Sequence, residues 1–521
     1  MPCEVPPRAR APIKAMPSPT SATAAAPRIR PAPTGSQWLA LISAIAVSGL
    51  FALAFATVWA AFAAFTAVTV TAVAVARRTL LHPYVWYAPA FYLYGASYPV
   101  LVWLGDLAPA GPLRETLLLE WAAISTFVLV VGPAQARAPS LRPLRSGSRG
   151  AAWLLLGSCS IPCFLLMNGV QSSGLMNSRQ IVATSTLLTT YHWGVAVLTL
   201  AYLVLFGDAL MRKRRLWVPS ALMAVGFGWP ILSLLIASQR SDIFRTLWVT
   251  LLLMYVLNPH FKRTRVAAIA VGILFLVPVA QELRSSLVAG RRIASAQGSS
   301  RVSTMLNSEF VSASQNLPLV LVNWADTRFY GQTLWWDILI TGRPTFLFPE
   351  RSTESITNQF NIQFYREVFA SGGGQGFTLV GEGYANFGPL GVVLWFTLVG
   401  LFVKVLYART SKSFLNVIAY IMASSVLMIA TRGDMSIIMS QCTKHIFLPL
   451  GLIALPSYLL LSRKRIRSLA PGMAGALGGL PAAVRYPRPL SPVASPSVGA
   501  SVRVLRPSAR STARYEPPDL R

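Results

Sequence analysis

The sequence has little charge and few of the residues that build metal or disulfide sites. Only 12% of its 521 residues are charged and 54% are hydrophobic, whereas a soluble domain carries about 25% charged residues. The four cysteines and four histidines show no zinc or disulfide spacing, so we expect no bound metal and no cofactor. A Gly-Lys-Ser/Thr phosphate loop is also missing. This composition indicates an integral membrane protein.

Both ends of the chain are basic and rich in proline. Residues 1–37 lack the apolar segment of a secretory signal peptide, so we expect the first span to act as its own insertion signal. Residues 463–521 are rich in Pro, Ser and Arg, and we predict that both tails are disordered and cytoplasmic. The net charge of +29 would suggest nucleic acid in a soluble protein. The Lys and Arg residues are concentrated in the two tails and in short loops, which indicates membrane topology rather than a nucleic-acid surface.

Apolar segments alternate with short polar connections between residues 38 and 462. Segments of about 20 apolar residues match the ~30 Å hydrocarbon core of a bilayer. We therefore predict an all-α integral membrane protein with about 12 transmembrane helices. The predicted spans are 38–55, 57–76, 83–104, 117–134, 151–169, 187–207, 216–237, 243–258, 266–282, 387–407, 414–431 and 446–462. The first two form one apolar run, and the sequence leaves open whether 38–76 crosses once or twice.

The distribution of cations orients these spans. With the amino terminus in the cytoplasm, every inner connection carries two to four Lys or Arg. The short outer connections carry none or one, except the last, which carries Arg432 and Lys444. Both termini are then cytoplasmic. The long connection at residues 283–386, which we call the outer loop, falls outside between helices 1–9 (38–282) and helices 10–12 (387–462).

Arginine is the only strong cation of the outer loop. The loop has no lysine and no histidine, and its eight arginines include Arg284 and Arg343. Arginine presents a planar fork that binds phosphate or carboxylate through two hydrogen bonds. We expect some of these side chains to bind a substrate, although arginine exceeds lysine throughout the chain.

Three arginines lie near predicted outer ends of spans. Arg240 stands in Ser238-Gln-Arg-Ser-Asp242, Arg284 follows the next outer span end, and Arg432 lies in Thr431-Arg-Gly-Asp434. Charges at a membrane boundary are costly unless they are paired, solvated or functional. We consider all three candidates for substrate binding, with snorkelling or pairing to a nearby acid as the alternative.

The outer loop ends in a glycine-rich segment that includes Glu382. Without a strand–loop–helix context, these glycines indicate a tight re-entry into the membrane rather than a phosphate loop. Glu382, at the mouth of a span, is a candidate general base or acceptor of a sugar hydroxyl. A structural carboxylate paired with arginine is the alternative. Tyr384 and Asn386 are candidate contacts to sugar hydroxyls.

Several of these segments together resemble an oligosaccharide repeat-unit polymerase of the O-antigen polymerase (Wzy) type. The resemblance covers roughly residues 80–462 and is strongest at Gly381-Glu-Gly-Tyr-Ala-Asn-Phe-Gly-Pro-Leu-Gly391. Ser238-Gln-Arg-Ser-Asp242, Arg284 and Pro344-Thr-Phe-Leu-Phe-Pro349 are the other matches.

The resemblance implies a GT-C-like bundle with one long periplasmic loop in the bacterial inner membrane. It implies a metal-independent glycosyltransferase that joins undecaprenyl-pyrophosphate-linked repeat units for O-antigen, capsule or exopolysaccharide. Arg240 and Arg284 would hold the pyrophosphate, and Glu382 would lie near the acceptor sugar. A chain-length regulator and a flippase are the expected partners.

Three other functions stay open. An O-antigen ligase-like transferase is expected to carry a histidine in its long outer loop, and residues 283–386 have none. A flippase or transporter of lipid-linked oligosaccharide commonly shows an internal repeat, which is not evident here. The third alternative is an inactive scaffold of an assembly complex.

Overall fold

A computed structural model describes residues 35–76, 79–133, 138–172, 186–215, 217–237, 240–258, 261–269, 272, 310–326, 328–342, 355–370, 374–456 and 458–459. The predicted tails, apart from residues 35–37, lie outside the described residues. So do most of the predicted span 266–282, the first part of the outer loop, Arg284 and Arg343.

The described residues are helical and contain no strand, which confirms the predicted all-α membrane protein. The first eight helices follow predicted spans closely. They are α1 (Gly35–Ala54), α2 (Val58–Ala76), α3 (Pro83–Trp103), α4 (Leu113–Val131), α5 (Ser146–Ser172), α6 (Thr186–Met211), α7 (Trp217–Ala237) and α8 (Arg240–Leu257).

Shorter helices from the outer loop precede three longer segments at the carboxyl side. The helices from the loop are α9 (Val311–Ser314), α10 (Asn316–Asn323), α11 (Gln332–Gly342), α12 (Ile356–Phe364), α13 (Arg366–Ala370) and α14 (Leu379–Phe387). They are followed by α15 (Pro389–Arg409), α16 (Phe414–Ala430) and α17 (Met435–Cys442), which continues into a π-helical turn at Thr443–Phe447.

Five described helices are long and apolar enough to cross a membrane. They are Gly35–Ala54, Val58–Ala76, Trp193–Met211, Pro389–Arg409 and Met435–Pro456. The segment in α6 is the most deeply buried of the five, because α6 packs against both α5 and α7. The outer-loop helices contribute a separate aromatic core that includes Trp324, Phe360 and Phe377.

The first apolar run forms two helices. The break falls at residues 55–57, where the Thr57 hydroxyl accepts the Ala60 N–H at 3.2 Å and so satisfies a donor at the start of α2. Both α1 and α2 are long enough to cross, and they pack against each other. The structure therefore divides residues 38–76 into two helices, each long enough for one crossing.

The last apolar helix differs from the prediction. It begins at Met435 rather than at residue 446, and the apolar segment extends to Pro456. Lys444 and His445, which we expected in an outer connection, lie inside the helix at its π-helical turn. Hydropathy did not indicate the start of this helix, because the polar residues of α17 lower its mean hydropathy.

The glycine-rich segment forms a tight turn between two helices, and its re-entry into the membrane stays a prediction. Gly388 joins α14 to α15 with a φ of 63°, a left-handed conformation that favours glycine. A Cβ built on Gly391 would lie 1.9 Å from the Gly383 carbonyl oxygen, so the two backbones touch directly. The glycines therefore serve close packing between α14 and α15, which fixes Glu382 beside a span.

We predict that Gly391→Ala destabilises the protein. The added methyl group meets backbone that cannot rotate away, and overpacking of this kind costs about 1–3 kcal/mol. Gly451→Ala is the matched control, because a Cβ there meets nothing within 4 Å. The measurement is thermal unfolding of both purified variants in detergent. Equal unfolding temperatures for the two variants would contradict the packing described here.

Candidate active site

Glu382 joins three helices through its carboxylate. The Thr378 hydroxyl caps the start of α14, and this places Glu382 in the first turn with no exposed surface. Its Oε1 accepts the Thr333 hydroxyl of α11 at 2.9 Å. Its Oε2 accepts the Met435 N–H at 2.6 Å, a donor at the start of α17 that has no partner within its own helix. The carboxylate thus ties two outer-loop helices to the last apolar helix.

Asp434 caps the same end of α17. Its Oδ1 accepts the Ile437 N–H at 3.0 Å and the Ser436 hydroxyl at 2.7 Å. Its Oδ2 accepts the Thr357 hydroxyl at 2.6 Å and the Thr357 N–H at 3.3 Å. A helix amino terminus favours negative charge, so α17 stabilises the carboxylates of both Glu382 and Asp434. Thr357 ties α12 of the outer loop to this position.

Asp337 is the third acid of the site. It is only 1% exposed, and neither carboxyl oxygen makes a hydrogen bond of normal geometry. Burial, followed by the negative charges of Glu382 and Asp434, raises the pKa of Asp337. Burial and Asp434 also raise the pKa of Glu382, against the opposing hydrogen bonds from Met435 and Thr333. A neutral Asp337 beside two hydrogen-bonded carboxylates is the arrangement that these contacts favour.

This carboxyl site, defined by Asp337, Glu382 and Asp434, is suited to holding and moving a proton. A pKa raised toward neutrality is what a general acid or base needs near neutral pH. Among the described residues, no group of three or more His, Cys, Asp or Glu forms a candidate metal site.

Asn386 and Tyr384 have other contacts in the structure. Asn386 is buried and donates to the Thr333 hydroxyl at 2.8 Å and to the Glu382 carbonyl at 2.9 Å. Its side-chain oxygen Oδ1 accepts the Gly331 N–H at 2.9 Å. The guanidinium carbon of Arg328 lies 4.9 Å from the centre of the Tyr384 ring. A sugar contact for either residue stays a prediction, and Asn386 as placed here holds the backbone before α11.

A second polar cluster surrounds Arg245 of α8. Its Nη1 donates to Asp242 Oδ1 at 2.9 Å and lies 2.7 Å from His445 Nε2, while Nη2 donates to Gln441 Oε1 at 3.4 Å. Arginine can only donate, so Nε2 of His445 is the acceptor in this contact. Arg245 is buried, and these contacts satisfy its charge inside the bundle.

The two clusters lie along one helix. Asp434 and Gln441 are seven residues apart on α17, a separation of about 10 Å along the axis. His445 follows in the π-helical turn, and such turns are frequent at functional sites. The helix that starts at the carboxyl site therefore also supplies two partners of Arg245.

The structure describes little of the predicted arginine site. Arg240 begins α8, but its side chain lies outside the described residues, as do Arg284 and Arg343. Arg432 is half-buried in the turn between α16 and α17, two residues before Asp434. Of the predicted site residues, Glu382, Tyr384, Asn386 and Arg432 therefore lie at or beside the carboxyl site.

Sequence patterns indicated Glu382 but not Asp337 or Arg245. Asp337 lies in the apolar stretch Leu334-Trp-Trp-Asp-Ile-Leu-Ile340. A single acid among large apolar residues was the one sequence feature that could have indicated a functional role for it. Arg245 follows Asp242 at the i, i+3 spacing of a helical ion pair. Asp434 appeared only as a neighbour of Arg432.

The fold and these clusters define a class: an all-α, multi-pass membrane protein with buried ionisable groups where its outer-loop helices meet the last apolar helix. The family model for the O-antigen polysaccharide polymerase Wzy matches residues 153–464, more than half of the chain. The protein belongs to this family, which confirms the resemblance seen in the sequence. No curated protein and no solved structure matched the chain.

We predict that wild-type stability falls as the pH rises. The raised pKa of Asp337 means that the folded state keeps a proton that the unfolded state loses above about pH 4. The resulting loss of stability grows as the pH rises from there toward the folded-state pKa. Asp337→Asn mimics the neutral acid and should flatten the decline, so the variant exceeds wild type in unfolding temperature at about pH 9.

The measurement is thermal unfolding in detergent at several pH values between about 6 and 9. Asp326→Asn, at an exposed position, is the matched control and should follow the wild-type slope. An Asp337→Asn slope equal to that of wild type would show that Asp337 is not held neutral.

Proposed function

We propose that this protein polymerises undecaprenyl-pyrophosphate-linked oligosaccharide repeat units on the periplasmic face of the bacterial inner membrane. The observation that carries the proposal is the family match over residues 153–464. The family acts on lipid-linked oligosaccharide in the membrane, and the apolar helices of this chain suit that location. The product is O-antigen or another surface polysaccharide, such as capsule or exopolysaccharide.

The proposed topology has about 12 transmembrane helices in a GT-C-like bundle with both termini in the cytoplasm. It is supported by the cation distribution, which fits the positive-inside rule at every loop. The outer loop then lies in the periplasm, and with it the helices that contribute Asp337 and Glu382. A chain-length regulator and a flippase are the partners that such a pathway requires.

The reaction joins two lipid-linked units. A hydroxyl oxygen of the acceptor sugar bonds to the anomeric carbon of the donor, and the bond from that carbon to the pyrophosphate oxygen breaks. Undecaprenyl pyrophosphate leaves with the electron pair, and the acceptor proton passes to a base. The sugar–phosphate bond already supplies the energy, so the proposed reaction needs no ATP. In this proposal, arginines rather than a metal ion stabilise the charge on the leaving group.

In this proposal the arginines bind the leaving group, and the carboxyl site accepts the proton of the acceptor sugar. Arg240 and Arg284 bind the pyrophosphate and stabilise the charge that develops on it. Arg343 and Arg432 contribute further cationic contacts to the substrate. Arg245 is buried five residues after Arg240 and fixes α8 against the last helix.

Glu382 is the proposed base. Both of its oxygens are hydrogen-bonded here, so the acceptor hydroxyl has to replace Thr333 at Oε1 when substrate binds. Catalytic hydrogen bonds commonly form only in the substrate complex. Tyr384 and Asn386 flank this position and are the proposed sugar contacts. Asp337, held neutral beside Glu382 and Asp434, avoids a third negative charge at the site before proton transfer.

A ligase-like transferase is the second candidate function. It would use the same cations and the same leaving group, and would differ only in the acceptor. Against it, residues 283–386 have no histidine. A flippase would use the polar clusters for transport without forming a glycosidic bond.

The test is the length of surface polysaccharide in a deletion strain that carries wild type or variants at matched membrane levels. We expect long polymer with wild type and single repeat units with Arg240→Ala, because the leaving group loses its cation. Glu382→Gln should also give single units, since the amide cannot take the acceptor proton. Arg265→Ala and Glu367→Gln are exposed matched controls and should give wild-type length.

Other outcomes separate the alternatives. Lipid-linked units stranded on the cytoplasmic face of the deletion strain would identify a flippase. Full-length polymer that is not attached to the lipid A core would identify a ligase. Wild-type polymer length with both Arg240→Ala and Glu382→Gln would remove these residues from the site.

A further inference from the structure

Helix α11 buries polar residues and exposes apolar ones, which is the opposite of what a helix on a protein surface in water does. Thr333 and Asp337, four residues apart on one face, are buried at the carboxyl site. Trp335 and Ile338, three residues apart on another face, are 61% and 43% exposed. A helix that packs on a protein surface in water places its apolar residues inward. Here the outward face is the apolar one.

The start of α11 lies close to the start of α15, which has an exposed apolar surface. Gly331 immediately precedes α11, and a Cβ built on it would lie 3.2 Å from the Phe387 ring. Leu390, in the first turn of α15, is 77% exposed. Beyond it, α15 exposes further apolar residues at helical spacing, at Leu394, Leu398, Leu401 and Val405. Since α15 is long and apolar enough to cross a membrane, this stripe is its lipid-facing side.

An exposed tyrosine is fixed at the junction between these two surfaces. Tyr330 is 76% exposed and has a φ of 49°, a left-handed conformation that is uncommon for a residue other than glycine. Its backbone N–H donates to the Asn386 carbonyl at 3.2 Å, and the next N–H donates to the Asn386 side chain. Tyrosine and tryptophan are enriched where a membrane meets water.

We propose that α11 lies in the membrane interface, with Trp335 and Ile338 in contact with lipid acyl chains. The outer-loop residues 330–342 then rest on the bilayer rather than in open water, and Tyr330 marks the polar boundary. Thr333 and Asp337 face the protein on the other side of the same helix. As a consequence that rests on the proposed function, the carboxyl site lies at the depth where a lipid-linked sugar leaves the bilayer.

The position of α11 beside the start of α15 favours lipid over two other occupants. A sugar-binding surface would need polar groups beside the aromatic ring, whereas Trp335 shares the exposed face of α11 with the apolar Ile338. A second copy of the chain would have to cover this face beside a helix that is long and apolar enough to cross the membrane. Both alternatives remain distinguishable by experiment.

The test places a nitroxide spin label at Trp335→Cys or Ile338→Cys in protein reconstituted into lipid bilayers without substrate. Leu401→Cys on α15 is the lipid-facing control, and Glu367→Cys on α13 is the exposed polar control. The parent protein, treated with the same label, gives the background from native cysteines. The measured quantity is the collision rate of each label with oxygen, which concentrates in lipid, and with a water-soluble nickel chelate.

We expect the ratio of oxygen to nickel collisions at 335 and 338 to match position 401 and to exceed position 367 several-fold. A ratio equal to that at 367 would place α11 in water and overturn the proposal. Low collision rates with both reagents would show protein on this face, such as a second copy, and would also overturn it. Because no glycan is present, the result does not depend on whether the protein is a polymerase.

Discussion

The hydrogen-bonded carboxylate of Glu382 is the interaction on which the rest of this structure depends. It is buried, and it is accommodated because Thr333 and the amino terminus of α17 both donate to it. An unpaired buried charge costs several kcal/mol, so any movement of α11 or α17 away from α14 would be strongly opposed. One side chain therefore fixes the outer-loop helices onto the last apolar helix.

Two features allow Glu382 to occupy this position. The direct contact between Gly383 and Gly391 lets α14 fold back tightly onto α15. The reversed polarity of α11 then supplies Thr333 and Asp337 from one side while its other face stays apolar. Together they produce a polar interior beneath an apolar exterior, which is the arrangement that a membrane surface favours. For the proposed reaction, this keeps the base and a neutral acid near the lipid-linked substrate.

Much of the helical fold could be predicted from hydropathy, because the length of an apolar segment reflects the thickness of the bilayer directly. The glycine turn and Glu382 were also evident, since a carboxylate between glycines at a span end is unusual. The start of the last helix at Met435 was not, because Lys444 and His445 resemble a loop until Arg245 is known to contact the imidazole of His445. Asp337 depends on contacts with residues far away in the chain, and such contacts leave no local pattern.

The most direct test of the central claim is polymerisation by purified protein in liposomes that contain the lipid-linked repeat unit, with a metal chelator and without ATP. The measured quantities are glycosidic bonds formed and undecaprenyl pyrophosphate released. Our account predicts that glycan chains lengthen and that one pyrophosphate lipid is released for each new bond. Movement of the lipid-linked units between leaflets, with no bond formed and no pyrophosphate lipid released, would contradict it.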